Sequence, residues 1–349
     1  MFFTPLSKRA SRFLGAFLLL LTLGSCEKTE QAAFPGESVA EETAAHQSGE
    51  NPTPPPSSQA RPPAPADAGD SQEQSPSSLR FIAYNVENWL TMDRYIDGKR
   101  QKSKAKPDEE KEAIVAILVR HQPDVIGLCE IGSKEDLTDL QSRLKEAGLD
   151  LPHSHHTGGF DPVRRLAILS RLPIVSTELR EELEYELEGK TMGMSRGILD
   201  ATVKTPVGPV RLLGVHLKSK REVPEADQEM MRRSEAHLLR EHATSILKED
   251  PAAQLIVYGD FNDTRQSSAI RTIRGPRKTP LSLGMSFLRD SRGETWTHNW
   301  EYQDVYSRFD YVFFSQPVLD LVDWDSCRVL DDPETLTGSD HRALLFVLK

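Results

Sequence analysis

Cysteine is scarce in this chain: three occur in 349 residues, at Cys26, Cys129 and Cys327. That excludes a disulfide-stapled scaffold and any zinc site built on several cysteines. Cys129 stands mid-strand beside Glu130, so it and Cys327 are expected to be two buried thiols, not a disulfide. Long hydrophobic runs are also few. Phe13 to Leu23 is one, and it is too short to span a bilayer unaided. Positive charge is in deficit. There are 43 basic and 53 acidic residues, a formal net charge of −10, and the region from residue 79 onward carries −6 of it. A general polyanion-binding surface is therefore disfavoured, and only a local basic patch remains open. Hydrophobic residues make up 38%, below the usual share. Much of that deficit falls in the first 78 residues, and the rest of the chain can still bury a sizeable core.

What is present begins with a targeting pattern. Lys8, Arg9 and Arg12 precede the apolar run, which ends in Leu23-Gly24-Ser25-Cys26. A basic start, a short apolar stretch and small residues before a cysteine resemble a bacterial lipoprotein signal, cut before the cysteine that is then diacylated. Residues 1–26 are accordingly expected to be a signal peptide, with Cys26 the lipidation site; two acyl chains anchor stably where one does not. Residues 27–78 hold one aromatic, Phe34, among Pro54-Pro55-Pro56, Pro62-Pro63 and many Ser, Gln, Ala and Glu. Such a segment cannot bury enough apolar surface to fold, and reads as a disordered tether spanning about 40 Å as a coil. The expected location is extracytoplasmic, lipid-anchored to a bacterial membrane at the periplasm or cell surface.

From residue 79 the pattern becomes that of a folded domain, reaching to residue 349. Leu255 to Tyr258 is an apolar stretch that reads as a strand buried on both faces, running out at Gly259 into Asp260-Phe261-Asn262-Asp263. In an extended backbone Asp260 and Asn262 project to one side. Similar strand ends recur. Phe81, Ala83, Asn85 and Glu87 share a face of the opening strand, and Asp124 to Glu130 is a second buried strand with a terminal carboxylate. Residues 93–108 read as a polar surface loop, followed by a helix over 109–121 with Ile114, Ile117 and Leu118 at helical spacing. Another helix covers 135–148. His153, His155 and His156 read as a solvated loop, and residues 165–171 and 173–175 as a strand pair.

Residues 198–203 and 210–217 form a further strand pair, ending in His216-Leu217-Lys218-Ser219-Lys220. A histidine and alternate lysines at a strand end suit an anionic substrate. A helix over 225–247 presents Arg232 at the start of an apolar stripe, where it needs an acidic or carbonyl partner. Ser307 to Phe314 is one more strand, with Asp310 among aromatics, and Ser339-Asp340-His341 precedes the last strand.

Asn85-Val86-Glu87, Glu130, His216, Gly259-Asp260-Phe261-Asn262, Asp310-Tyr311 and Ser339-Asp340-His341 resemble, in their order, the motifs of the endonuclease/exonuclease/phosphatase family. The resemblance implies an α/β fold of deoxyribonuclease-I-like type, a four-layer α/β/β/α sandwich with the motifs along one rim. It implies metal-dependent hydrolysis of a phosphodiester. Glu130 would be the main ligand of Mg²⁺ or Mn²⁺, with Asn85, Glu87 and Asp340 around the ion; the oxygen donors favour these metals over zinc. Asp260 and Asn262 would orient or activate the attacking water. His341, held by Asp310, and His216 would contact the phosphoryl oxygens or transfer protons.

The family often has Asp at the place of Glu87, which puts direct ligation by Glu87 in doubt. His216 needs an acidic partner, for which Asp161 is the candidate. The inositol 5-phosphatase signature is absent, with Ser307-Arg308-Phe309-Asp310 in its place, and apurinic endonucleases usually lack a histidine at the position of His216. The leading expectation is a monomer acting on nucleic acid, its phosphate contacts coming from Lys218, Lys220 and Arg165. The alternatives are a sphingomyelinase-like phospholipid phosphodiesterase, a phosphomonoesterase, or a non-catalytic binding module on the same scaffold. The phospholipid alternative calls for an exposed apolar hairpin, and the sequence shows no clear one.

Overall fold

The computed structural model describes residues 78–96 and 98–349. The expected signal peptide with Cys26, and all but the last residue of the expected tether, lie outside the described residues. Among the described residues no helix is long and apolar enough to cross a membrane.

The first half of the domain runs β1 (Leu79–Trp89), β2 (Met92–Ile96), β3 (Lys99–Lys104), α1 (Asp108–His121), β4 (Val125–Ile131), α2 (Lys134–Glu146), β5 (His153–Thr157) and β6 (Arg165–Ser170). It continues with β7 (Ile174–Glu178), β8 (Glu184–Leu187), β9 (Lys190–Gly193), β10 (Leu199–Thr205), β11 (Gly208–His216), α3 (Gln228–Glu249), β12 (Gln254–Asp260) and α4 (Ser268–Arg274). The last part is β13 (Gly284–Met285), β14 (His298–Trp300), β15 (Val305–Ser307), β16 (Asp310–Phe314), α5 (Gln316–Leu319), β17 (Arg328–Val329), α6 (Thr335–Gly338) and β18 (Leu344–Leu348).

Two six-stranded sheets form, in the orders β17-β18-β1-β4-β6-β5 and β13-β16-β12-β11-β10-β7. Each has one parallel pair at its centre, β1 with β4 and β11 with β12. Strand alternation explains the layers. Phe81, Ala83, Val125 and Ile168 of the first sheet pack against Leu199, Leu212, Ile256, Val312 and Phe314 of the second. Their neighbours Ile82, Tyr84, Ile126 and Leu128 face outward onto Ile114 and Leu118 of α1 and Leu140 of α2. Leu213, Val215, Leu255 and Val257 likewise meet Leu239 and Ala243 of α3 and Ile270 of α4. The result is the four-layer α/β/β/α sandwich expected. Each fully buried Leu, Ile or Phe contributes about 1.5–3 kcal/mol.

The tyrosine in the inter-sheet core dictates one glycine. A Cβ on Gly127 would lie 2.1 Å from the Tyr258 ring. Gly259, with φ of 136°, is required differently: β12 does not run out there but continues to Asp260, and a Cβ would strike the Val215 carbonyl.

Several expectations are corrected. The polar stretch 93–108 contains the β2–β3 hairpin, paired from Met92–Lys104 to Ile96–Lys99. The three histidines lie on β5, an edge strand bonded to β6, and not in a loop. β6 and β7 do not pair with each other: β6 lies between β4 and β5, while β7 crosses to the other sheet beside β10. Arg171-Leu172-Pro173 makes the switch, since the proline cannot continue the ladder. Cys129 and Cys327 are both free thiols, Cys129 buried and Cys327 half-buried.

Candidate active site

The two parallel pairs end on the same rim, and the catalytic and metal-binding residues proposed from the sequence lie there or on the adjoining 339–341 turn, Cys26 being outside the described residues. The first sheet supplies Asn85, Glu87 and Glu130. Asn85 is buried and bridges the sheets: its Nδ2 donates to Asp260 Oδ2 at 3.2 Å and to Glu130 Oε1 at 3.5 Å. Glu130 is a bulge with φ of 62°, because the pairing of β4 with β6 slips between Cys129 and Ile131. Its Oε2 accepts the Asn88 backbone N–H at 3.0 Å, and Arg164 Nε stands 3.7 Å away.

Glu87 does not share the strand face with Asn85. Glu87 and Asn88 are left-handed, with φ of 43° and 56°, and swing the chain off the ladder. Glu87 Oε2 accepts the Asp340 N–H at 3.0 Å, and the buried Lys106 ammonium donates to the Glu87 carbonyl at 2.9 Å. Partial burial and the Asp340 carboxylate push Glu87 up to about 7.

The second sheet supplies His216, Asp260, Asn262 and Asp310. Asp260 is buried, its Oδ2 3.5 Å from His216 Nε2 and 3.6 Å from His341 Nε2. Asn262 is left-handed too (φ 49°), so it is not the extended partner that its spacing suggested. It curls back instead, its N–H donating to Asp260 Oδ1 at 2.8 Å and its Nδ2 to Asp260 Oδ2 at 3.3 Å. Burial raises Asp260 to about 7 against the pull of the His341 charge. Asp310 Oδ2 lies 2.7 Å from His341 Nδ1. Burial opposes charge on His341, but the Asp310 and Asp260 carboxylates override it and hold the imidazolium well above its usual range. His216 moves the other way: burial, Arg196 and His341 depress it, and it stays neutral. Two histidines of opposite charge state thus flank one carboxylate.

Asp161 is not the partner of His216. It pairs with Arg196 at 3.5 Å, and the carboxylates near His216 are Asp260 and, at 3.9 Å, Glu130. Ser339 fastens the last motif to the first, its hydroxyl donating to the Asn85 carbonyl and accepting from the His341 N–H. α3 anchors the loops after β11 and β12. Arg232 pairs with Asp263 at 3.0 Å and donates to the Lys218 carbonyl, and Glu235 accepts the Lys218 N–H.

His298 was missed by the sequence reading. Its ring stacks on Phe309 and sits tilted against His341, 4.7 Å between ring centroids, and its Nε2 is 3.7 Å from Asp340. Nothing in its sequence surroundings marks it, because the β14 strand that carries it is only three residues long. The lysines also behave differently from expectation. Lys220 Nζ pairs with Asp263, Lys218 Nζ donates to the Arg221 carbonyl, and Arg165 donates to the Gly159 carbonyl. Beside Glu130 opens a groove of about 760 Å³, lined by Gly132, Asp136, His156, Arg165 and Glu181.

Residues 85–341 match the model of the endonuclease/exonuclease/phosphatase family. The chain belongs to that family. Its members hydrolyse phosphoesters, which makes this chain a phosphoesterase- or nuclease-type hydrolase. The fold is similar to that of a family protein from Bacteroides vulgatus, 18% identical with a TM-score of 0.55, covering 78% of this chain and 98% of that one. It is similar to Staphylococcus aureus beta toxin, at 14% identity and a TM-score of 0.54 over 78% of this chain and all of the toxin. The human Nocturnin catalytic domain is 16% identical with a TM-score of 0.52, covering 78% and 94% of the two chains. No curated protein matches the sequence.

The residues of the rim fit a divalent cation. Glu87, Glu130 and Asp340 supply it with carboxylates; burial first, and then the charge of Asp340 on Glu87 and of Glu130 on Asp340, raise Glu87 and Asp340. Among the described residues, donor atoms converge within 4.8 Å in two groups here, His298–Asp340–His341 and Asp260–Asp310–His341. Glu87, Glu130 and Asp340 stand further apart than that.

Proposed function

We propose that this chain is a Mg²⁺- or Mn²⁺-dependent phosphodiesterase acting on nucleic acid, extracytoplasmic and lipid-anchored through Cys26 to a bacterial membrane at the periplasm or cell surface. The observation that carries the reading is the Asp310–His341 pair facing Asp260, with Asn85 joining Asp260 to Glu130. Asn85, Glu87, Glu130 and Asp340 would hold the cation, which when bound neutralises phosphate charge and lowers the pKa of a bound water. Asp260, raised toward neutrality, accepts the proton of the attacking water, and Asn262 fixes the carboxylate that does so. The His341 imidazolium stabilises the charge that grows on the phosphoryl oxygens, while Asp310 holds its ring and its Nδ1 proton. His216, neutral and buried beside Asp260, offers a hydrogen bond from the other side.

A panel of plasmid DNA, RNA, sphingomyelin, inositol phosphates and a chromogenic diester, run with Mg²⁺, Mn²⁺, Ca²⁺ or EDTA, tests the reading. Plasmid cleavage that needs the metal is expected. Turnover of sphingomyelin or inositol phosphates with plasmid left intact under every metal rejects the nuclease assignment. Anchoring is tested separately: Cys26→Ser should release the protein from the membrane fraction, and a wild type that never incorporates labelled fatty acid rejects the anchor.

One observation favours a phospholipid substrate as the second reading. The β14–β15 hairpin exposes Trp300, Tyr302, Val305 and Tyr306, an apolar feature not recognised in the sequence, and it starts at His298 beside His341. Sphingomyelin turnover in the panel decides between the two. A non-catalytic module would not need the paired charges around Asp260.

A further inference from the structure

Three guanidinium groups converge on one exposed ring. The Cζ atoms of Arg265, Arg289 and Arg308 lie 4.8, 5.0 and 5.2 Å from the centroid of Phe287, whose side chain is 43% exposed. Arg308 also stacks on Tyr311 at 5.0 Å. Like charges gathered this closely repel one another, and carboxylates would normally separate them. Here the nearby carboxylates are committed elsewhere. Asp263 pairs with Lys220 and Arg232, and Asp290 with Arg342 and Arg292.

The innermost of the three is the least satisfied. Arg308 Nη2 donates to the Ser286 carbonyl at 2.9 Å, but its Nε and Nη1 are buried without a partner, as is the Ser286 hydroxyl. Burial and the charges of Tyr311, Arg265 and Arg289 act on this guanidinium, and the net effect is to weaken its hold on the proton. A buried cation without a counter-ion is costly, and in native structures an orphan polar group calls for an explanation. An anion that arrives with the ligand is one. The position says which ligand: Arg308 is two residues before Asp310, and Arg265 three residues after Asn262. The cluster therefore flanks the rim on the side of the second sheet.

We infer that Arg265, Arg289 and Arg308 form a second phosphate subsite, which holds a backbone phosphate of the bound oligonucleotide strand, distinct from the phosphate being cleaved. Arg265 and Arg289 are exposed and make the direct contacts, and Arg308 stands beneath Phe287 as a fixed charge. The inference rests on the proposed phosphodiesterase reading and narrows it to substrates with more than one phosphate. It takes the place of Lys220, which is paired with Asp263; Arg289 also donates to a carbonyl, that of Gly293 at 2.7 Å, and keeps its other N–H groups for the phosphate.

The test uses the full chain and the doubly substituted variant Arg265→Ala/Arg289→Ala, both changes at exposed positions. Binding of a fluorescein-labelled thymidine decanucleotide is measured in EDTA, so that nothing turns over, across a salt series. The slope of log K against log salt should fall in magnitude by about 0.7 for each arginine removed. Turnover of bis(p-nitrophenyl) phosphate, which has one phosphate, should stay within roughly twofold of wild type, while KM for the decanucleotide rises about tenfold or more. Unchanged slope and unchanged affinity overturn the inference. So does a variant that keeps its oligonucleotide affinity but loses binding to phosphatidylglycerol vesicles, which assigns the patch to a lipid surface. If the slope falls and yet wild type cleaves no phosphodiester, the subsite stands and the phosphodiesterase reading fails.

Discussion

The two lips of the cleft are built alike and charged differently. Each sheet presents the ends of its central parallel pair, β1 with β4 on one side and β11 with β12 on the other. The first lip carries Glu87 and Glu130, and past Gly132 a separate groove holds Asp136 and Glu181. The second carries Asp260 and Asp310 closed in by His216 and His341, with the arginine cluster on its flank. One topology thus yields two chemistries. Carboxylates whose cationic partners stand back, Glu130 from Arg164 at 3.7 Å and Glu87 from Lys106 at 4.0 Å, suit a metal ion, whereas a carboxylate held between histidines suits proton transfer. Among the described residues Asn85 is the buried side chain that donates to a carboxylate on each lip.

The largest expected effect breaks the first lip. Glu130→Gln keeps the size and removes the charge, so activity should fall at least about a thousandfold, with ion affinity lost and the fold retained. Full activity in the variant, read with the chromogenic diester, rejects the assignment. Next comes the second lip. Asp260→Ala and His341→Ala should each cost at least about a hundredfold in kcat, the usual scale of a general acid or base. A loss confined to KM would make them binding groups only.

A fourth substitution sharpens the contrast by touching a charge cluster away from the rim. Asp200 is buried, 2.6 Å from His242 Nε2 and paired with Arg211, which also binds Glu178. Burial opposes its charge, but His242 and Arg211 win and hold it below the usual carboxylate range. Asp200→Asn should cost about 3 kcal/mol of stability by leaving Arg211 and His242 short of a partner, with activity per folded molecule unchanged. The pH dependence follows from the sign. A depressed carboxylate contributes its stability above the unfolded pKa of about 3.9, and loses it as pH falls through the lower folded value. Thermal melts from pH 6 downward should therefore show wild type and variant converging in acid. The smallest effect belongs to the hairpin. Trp300→Ala with Tyr302→Ala should leave plasmid cleavage within roughly threefold, since solvent-exposed substitutions seldom matter. A large loss confined to vesicle-bound substrate would promote the phospholipid reading.

Much of this was legible in the chain. The apolar runs Phe81–Tyr84 and Leu255–Tyr258, with polar residues after them, showed strands that end in functional side chains, while the four layers and the shared rim came from the family resemblance of the motifs. Three features were not legible, for different reasons. Glu87, Glu130 and Asn262 adopt left-handed backbone, with φ of 43°, 62° and 49°, which no local signal announces in residues that are not glycine. Each costs about 1–3 kcal/mol and is held by the packing around it, and such strain gathers at functional sites. β6 and β7 read as partners because only three residues separate them, but the sheet each joins is set by contacts distant in sequence. His298 and the arginine cluster escaped because their meaning lies in what stands opposite them. Arg265, Arg289 and Arg308 meet at Phe287 only when the fold brings three separate segments together.

Ion binding on one lip is divided from proton transfer on the other. Calorimetric titration of Mn²⁺ into wild type, Glu130→Gln and His341→Ala tests this division most directly. It predicts that Glu130→Gln loses ion binding while His341→Ala keeps it and loses only turnover. Ion binding that survives in Glu130→Gln and vanishes in His341→Ala would contradict it, and would make His298, Asp340 and His341 the metal centre instead.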